Sequence, residues 1–383
     1  MIIVFLFGLI SLLSDFVYEG ARGVMGPYLS LLGASATIVG LVSGVGEFLG
    51  YGLRLLSGYL VSRTKRYWSW VIGGYAFSLF SIPALGLVST WKEALALLLI
   101  ERIGKAVRTP ARDTLLSLAV IPKRSGIAFG IHEALDQLGA LLGPLYVSLI
   151  LYLSASFRIC FLSLAIPATI SILCLFYTKR VFGEKELLGS SSLVIKDKEG
   201  FTGIFWAYIL GITLFGAGMP SFYLLGFHLQ KKGLTPELIP LLYALAMGID
   251  ALSALLWGWL LDRRGLKVLP FTSLLLIVAI PLIIWGNMKL IILGVIFWGI
   301  ALGAVESIMR SALSLFVPRE KRALGFGLFH FFLGLSFLMG NLLYGFLYER
   351  ELLRVLYGFV LGIQIASMFS MLWCEKLLRR GFN

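Results

Sequence analysis

Residues Glu101–Asp113 read ERIGKAVRTPARD and place six ionisable side chains within one apolar stretch, 93–120. That stretch is long enough for a membrane helix, because about 20 residues cross the hydrocarbon core of a bilayer. A charge in the middle of a lipid-exposed helix costs about 3 kcal/mol on insertion scales. Six such charges would cost on the order of 15–20 kcal/mol, more than the stability of a typical domain. They must therefore face the protein interior or a water-filled cavity.

The spacing of the six charges indicates a helix that lines a polar path through a membrane. Four of them recur at i, i+4, i+7 and i+11 and share one stripe of a helix: Glu101, Lys105, Arg108 and Arg112. Lys105 and Arg108 lie near the middle of the span, where they would meet an anionic substrate group or compensate nearby acids. We interpret Arg112 and Asp113, toward the cytoplasmic end, as a gate or a structural ion pair. Arg102 shares a second stripe with Asp113 and is either a relay or a packing residue.

The composition of the 383-residue chain is that of a polytopic membrane protein. Hydrophobic residues make up 59% of the chain and charged residues 14%, and long apolar runs alternate with polar breaks. The polar stretch 179–200 is the one credible linker, and it separates 1–178 from 201–383. The runs predict an all-α fold of twelve transmembrane helices, six on each side of the linker, with approximate limits 2–32, 34–62, 67–89, 93–120, 125–153, 156–178, 201–229, 236–261, 268–286, 289–316, 323–348 and 353–378.

The distribution of basic residues predicts the orientation of these helices. With both termini in the cytoplasm, the inner loops and the C-terminal end hold 19 of the 33 Lys and Arg residues, the outer loops hold seven and the spans hold seven. Cytoplasmic loops of membrane proteins carry such an excess. The net charge of +13 is thus explained by membrane topology, and we expect no nucleic-acid partner. The expected location is the inner (plasma) membrane of the cell, with the first apolar stretch retained as a span.

Two pairs of similar segments indicate that the halves are repeats. Gly58–Arg66 and Gly258–Lys267 close the second and eighth predicted spans at an offset of 200 residues. Segments 122–130 and 318–327 lie between spans four and five and between spans ten and eleven, at an offset of about 197. Internal repeats of this kind are common in secondary transporters. They predict two six-helix bundles related by a pseudo-two-fold axis.

The motif Gly258-x-Leu-x-Asp262-Arg263-x-Gly265-x-Lys267 resembles the cytoplasmic loop motif of the major facilitator superfamily, and the resemblance covers the whole chain. It implies a secondary transporter, not an enzyme, that works by alternating access without a cofactor. It also implies that Asp262 and Arg263 belong to ionic contacts that hold the cytoplasmic side closed. In the first repeat Arg63 is kept, whereas Ser62 replaces the acid.

A second motif resembles the fifth helix of antiporters in that superfamily. Its small residues and proline are Gly130, Gly139, Gly143 and Pro144. Small residues let membrane helices approach closely, and proline bends a helix. The resemblance implies an exchange mechanism, while ordinary glycine-mediated packing is the alternative interpretation.

The intramembrane charges predict where coupling takes place. Thirteen of them lie in the first half of the chain and three in the second. Asp15, Glu19 and Arg22 share a stripe of the first span, and Glu133 and Asp136 lie a turn apart in the fifth. Buried acids beside movable bases can bind and release protons, so the four acids are our candidates for proton carriers. The alternative is that each forms a permanent salt bridge to the fourth span.

His132-Glu133-Ala-Leu-Asp136 resembles the zinc motif H-E-x-x-H, but it lacks the second histidine. We therefore expect neither a metal site nor a cofactor.

These observations favour a proton-coupled exporter (antiporter) of a small organic or drug-like solute. The alternative is a transporter of an organic anion or a phosphate-bearing solute, with the bases of the fourth span as an anion clamp. A membrane sensor would not need so many intramembrane charges. The expected partners are a small-molecule substrate, protons and the lipid bilayer, and the expected state is a monomer.

Overall fold

A computed structural model describes residues 2–118, 125–183, 201–317 and 322–381 of the chain. The described residues are almost entirely helical and contain no strand. The first helices are α1 (Ile2–Leu31), α2 (Ala36–Thr64), α3 (Tyr67–Ala84), α4 (Trp91–Leu118), α5 (Ser125–Ser154), α6 (Phe157–Ser163) and α7 (Ala165–Phe182). The remaining helices are α8 (Gly203–Ala217), α9 (Phe222–Lys231), α10 (Leu238–Arg264), α11 (Leu269–Trp285), α12 (Met288–Glu306), α13 (Ile308–Ser311), α14 (Arg322–Glu349) and α15 (Leu353–Gly381).

Many of these helices are suited to a bilayer. Among the described residues, nine helical stretches are long and apolar enough to cross a membrane. One of them, Leu238–Trp285, contains both α10 and α11, and Gly265–Val268 forms a 3₁₀ turn between them. The prediction of an all-α membrane protein is confirmed, while the number of twelve spans stays a prediction.

The chain divides into two compact units. Unit 1 contains Met1–Ala34, Val45–Leu193 and Leu229–Ala244, and unit 2 contains Ser35–Gly44, Val194–His228 and Leu245–Asn383. The beginning of α2 therefore packs in unit 2, and the beginning of α10 packs in unit 1. The division at the predicted linker stays a prediction, and residues 184–200 of that linker lie outside the described residues.

Glycines allow α1 and α5 to pack closely in unit 1. A Cβ atom on Gly139 would lie 2.2 Å from the carbonyl oxygen of Leu12, and one on Gly143 would lie 2.2 Å from that of Phe16. Both glycines belong to the predicted packing motif, as does Pro144, which lies inside α5. The surroundings of the fourth member, Gly130, lie outside the residues whose packing is described. Close approach of the backbones brings the polar side chains of α1 next to α5.

Hydrogen bonds from side chains to backbone join two helices of unit 2. The side chains of Gln364, Ser367 and Ser370 on α15 donate to carbonyl oxygens of α8 at distances of 3.0, 2.8 and 2.8 Å. These three donors are fully or nearly fully buried. Among the described residues, the buried ion pairs lie in unit 1, whereas unit 2 buries Asp250 in a largely apolar interior.

Candidate substrate and proton site

Five charged side chains of unit 1 form a chain of alternating sign. Arg22 contacts Glu19 at 3.2 Å and Glu47 at 3.1 Å. Arg102 contacts the same Glu47 oxygen at 3.2 Å and contacts Glu101 at 3.1 Å. The chain joins α1, α2 and α4, and Gly46 leaves space for the Arg102 side chain on the face of α2. We name this set the charge ladder. Within the ladder each charge has a neighbour of opposite sign, which offsets the large free-energy cost of burying a charge without a partner.

A second cluster lies where α1, α4 and α5 meet. The Lys105 Nζ atom is 3.9 Å from a carboxylate oxygen of Asp15. The carboxyl groups of Asp15 and Asp136 are close enough to interact with each other, and the Ser11 hydroxyl donates to Asp136. Two neighbouring carboxyl groups can share one proton, which avoids two negative charges in surroundings with little water. This carboxyl pair has the chemistry of a proton-binding site.

Arg108 lies between two tyrosines and is almost fully buried. Its guanidinium carbon is 3.8 Å from the ring centre of Tyr75 and 5.3 Å from that of Tyr18. Such cation–π contacts stabilise a buried cation. The Nε and Nη1 atoms of Arg108 nevertheless have no hydrogen-bond acceptor among the described residues. The arrangement therefore leaves N–H groups able to bind an anion.

The other predicted residues are not members of the clusters defined above, although Arg112 is close enough to Asp136 and Arg108 to interact with them. Glu133 is exposed on α5, whereas the other three candidate acids lie close to bases or to one another. Arg112 and Asp113 contact each other at 2.8 Å, and their role as a gate or a structural ion pair stays a prediction. Arg63 at the end of α2 is exposed, and its Nη1 atom donates to the Tyr59 hydroxyl at 3.2 Å.

The two motif residues at the end of α10, Asp262 and Arg263, are also exposed. The Arg263 guanidinium lies 4.2 Å from the ring centre of Trp259. Among the described residues, no group of three His, Cys, Asp or Glu side chains is placed to hold a metal ion.

Sequence reasoning did not select two important members of these clusters. Glu47 was visible as an intramembrane acid, but its position between two arginines depends on how α1, α2 and α4 pack. Tyr243, at the beginning of α10, donates a 2.5 Å hydrogen bond to Glu19. No periodicity or charge pattern pointed to Tyr243, because its partner is more than 200 residues away.

The sequence model of the Major Facilitator Superfamily matches residues 5–341 and 201–380. The chain belongs to this superfamily. The membership confirms the predicted resemblance, and the chain is therefore a multi-span membrane transporter of the secondary type rather than an enzyme.

Relatives cover nearly the whole length of this superfamily member. An uncharacterized protein of Mycobacterium tuberculosis is 37% identical over 374 residues, which are 95% of this chain and 91% of the relative. An uncharacterized MFS-type transporter of Methanocaldococcus jannaschii is 29% identical and covers 94% of this chain and 92% of its own.

Solved structures of other superfamily transporters share the fold. The nucleoside transporter NupG superposes with a TM-score of 0.76 at 16% identity, covering 98% of this chain and 100% of its own. A bacterial homolog of the human lysosomal transporter Spinster gives a TM-score of 0.70 at 15% identity, covering 97% and 94%. At these identities the similarity shows the fold alone, and the substrate has to be argued from the residues of this chain.

Proposed function

We propose that this member of the Major Facilitator Superfamily is a proton-coupled exporter of a small organic solute in the plasma membrane. Protons and solute move in opposite directions by alternating access, with both termini in the cytoplasm. The observation that carries the proposal is the cluster of Asp15, Asp136 and Lys105. The antiporter-like glycines Gly139 and Gly143 support exchange and export.

We further propose twelve spans in two bundles, 1–178 and 201–383. Leu238–Trp285 has 48 residues. At 1.5 Å per residue they extend about 72 Å, which is more than twice the thickness of the hydrocarbon core. Counting this stretch as two spans raises the number of candidate spans from nine to ten. The helices α1 and α4 have 30 and 28 residues, long enough to cross a bilayer, and they carry several charges. With these two helices the number of spans is twelve.

In the proposed proton cycle, a proton and the solute compete for the carboxyl pair of Asp15 and Asp136. With a proton on the Asp15–Asp136 pair, the cluster carries one negative charge, which Lys105 balances. Loss of that proton leaves a second negative charge, which favours a cationic or polar solute or a closer approach of Lys105. Solute and proton would thus replace each other at one place in the protein, which is the requirement for exchange.

Substitution of Asp15 by Asn tests this proposal, because asparagine keeps the size but cannot carry the proton. In everted vesicles with an acidified interior, we expect the wild type to accumulate the lipophilic cation ethidium. We expect the initial uptake rate to fall about a hundredfold in Asp15→Asn, in line with the loss of an essential proton-transfer group. Equal uptake by the wild type and Asp15→Asn would contradict the proposal. Glu351→Gln, at an exposed site, is the matched control.

Arg108 favours a second candidate function, transport of an organic anion. Its buried Nε and Nη1 groups have no acceptor in the described part of the chain and would bind a carboxylate or a phosphate group. The flanking Tyr18 and Tyr75 would contact an aromatic solute. In that case α4 would supply the main recognition group, with Lys105 beside it.

Ligand-dependent stability distinguishes the two candidates. If the solute is anionic, benzoate at a hundred times its dissociation constant should stabilise the purified protein by about 2.7 kcal/mol, and ethidium should not. The effect should disappear in Arg108→Gln and remain in Arg158→Gln, at an exposed position on α6. Stabilisation by ethidium but not by benzoate would exclude the anion carrier.

A further inference from the structure

We propose that unit 2 binds one molecule of phosphatidylethanolamine, with an acyl chain in an apolar groove of α14 and α15 and the headgroup between Glu349 and Arg350. The groove and both charged residues lie within unit 2. Such a lipid site does not depend on the solute that the protein carries, so it stands apart from the proposed transport function.

The groove is a cavity of about 530 Å³ that opens at the protein surface. Two of its lining residues, Met339 and Phe346, are 59% and 44% exposed. The side chains from α14 and α15 that line it are all apolar: Met339, Leu342, Leu343, Phe346, Phe359 and Ile363. Exposed apolar surface of this kind marks an interaction site, and beside a membrane span the surrounding medium is lipid hydrocarbon. The lining therefore suits an acyl chain.

The position of the groove along α14 places it in one leaflet of the bilayer. α14 and α15 contain the candidate spans Leu324–Glu349 and Leu353–Arg379, so the chain reaches the edge of the membrane between them. At 1.5 Å per residue, Phe346 and Met339 lie about 5 and about 15 Å from the end of the first span. Half of the hydrocarbon core is also about 15 Å thick. The groove thus runs from the polar boundary toward the middle of the bilayer, as an acyl chain does.

Close backbone packing fixes the walls of the groove. A Cβ atom on Gly340 would lie 2.3 Å from the carbonyl oxygen of Ala217 on α8. One on Gly345 would lie 2.3 Å from the carbonyl oxygen of Ala36 on α2. Because α14 already touches these backbones, it cannot move closer to them and close the groove. The groove is therefore a preformed site, as is usual for ligand pockets.

Two charges of opposite sign lie at the polar end of the groove. The Arg350 guanidinium is 5.0 Å from the ring centre of Phe346, which lines the groove. The Glu349 carboxylate accepts hydrogen bonds from the Thr37 backbone nitrogen at 3.1 Å and from the Ser35 hydroxyl at 2.8 Å. Thr37 also lines the groove. Each charge is thus held against a lining residue, at the end where a lipid headgroup would lie.

This pair of charges is complementary to a zwitterionic headgroup with a primary ammonium. Arginine binds phosphate through several N–H donors, and a carboxylate accepts hydrogen bonds from an ammonium group. Phosphatidylethanolamine offers both groups. A choline headgroup has a cation without N–H donors, and a glycerol headgroup has no cation for Glu349. The site should therefore prefer phosphatidylethanolamine to both.

Native mass spectrometry of the full chain, delipidated in detergent, tests this site. Dioleoyl-phosphatidylethanolamine, dioleoyl-phosphatidylcholine and dioleoyl-phosphatidylglycerol are titrated separately, and the dissociation constant of the first bound lipid is measured. In the wild type we expect the constant for phosphatidylethanolamine to be about tenfold lower than for the other two, as for one hydrogen bond between charged groups. Arg350→Gln should raise it about tenfold for the same reason.

Further variants locate the lipid. Glu349→Gln keeps an acceptor for Ser35 and Thr37 but removes the charge, so the preference over phosphatidylglycerol should disappear. Leu343→Trp fills the groove and should weaken the binding of all three lipids about tenfold, with an unchanged unfolding temperature. Glu349 and Arg350 are exposed, so the two substitutions at the mouth leave the core intact. Lys289→Gln, exposed on α12, is the matched control and should bind lipid as the wild type does.

Three results would overturn the inference. The first is equal affinity of the wild type for phosphatidylethanolamine and phosphatidylglycerol, and the second is an unchanged dissociation constant in Arg350→Gln. The third is a dimer that forms in place of lipid binding and is lost in Leu343→Trp, because the groove would then bind a second copy of this chain.

Discussion

Replacement of Glu47 by glutamine is expected to lower the free energy of unfolding by about 1–3 kcal/mol. One Glu47 oxygen contacts Arg22 at 3.1 Å and Arg102 at 3.2 Å, so the substitution removes one carboxylate partner from each guanidinium group. Glu19 and Glu101 remain as their partners, so the expected loss is that of hydrogen bonds between charged groups rather than that of an isolated buried charge. Denaturation of the purified protein in mixed micelles, followed by circular dichroism, measures the change.

The matched control for Glu47→Gln is Glu375→Gln. Glu375 pairs with Arg379, whose side chain is 58% exposed, and an exposed pair of this kind contributes about 0–1 kcal/mol. A loss of stability in Glu47→Gln no larger than in Glu375→Gln would show that the charge ladder does not stabilise unit 1.

Replacement of Gly143 by alanine is the second prediction with a large effect, a destabilisation of about 1–3 kcal/mol. The new Cβ atom would lie 2.2 Å from the Phe16 carbonyl oxygen and 2.9 Å from the Gly20 nitrogen. Both are backbone atoms of α1, so they cannot move aside as a flexible side chain could, and α1 must shift away from α5. Thermal unfolding in detergent measures the loss.

Gly362→Ala provides the control on α15. A Cβ atom there meets no atom within 4 Å, and alanine is a better helix former than glycine by about 1 kcal/mol. We therefore expect unchanged or slightly increased stability in Gly362→Ala. If Gly143→Ala were equally harmless, the α1–α5 contact would not depend on glycine, and the packing interpretation of the motif would be wrong.

Much of the charge clustering could be anticipated from energetic arguments. Charges on α4 could not face lipid, so they had to find partners within the protein. In the structure Lys105 contacts Asp15 on α1, and Arg102 contacts Glu47 on α2. The exposure of Glu133 could not be predicted from the sequence. Helical spacing shows which residues share a face of α5, but it does not show whether that face packs against another helix. Glu133 lies on an exposed part of α5.

The sequence by itself determined the all-α membrane fold, the superfamily and the concentration of charge in the first half of the chain. These properties follow from composition, apolar length and local motifs, which are read along a single helix. Only the tertiary structure decided that Glu47 is shared by two arginines and that Tyr243 reaches Glu19. It also decided that Arg108 lies between two tyrosines with N–H groups that have no acceptor among the described residues. Each of these contacts joins residues far apart in the chain, and the packing of whole helices, rather than any local pattern, sets their distances.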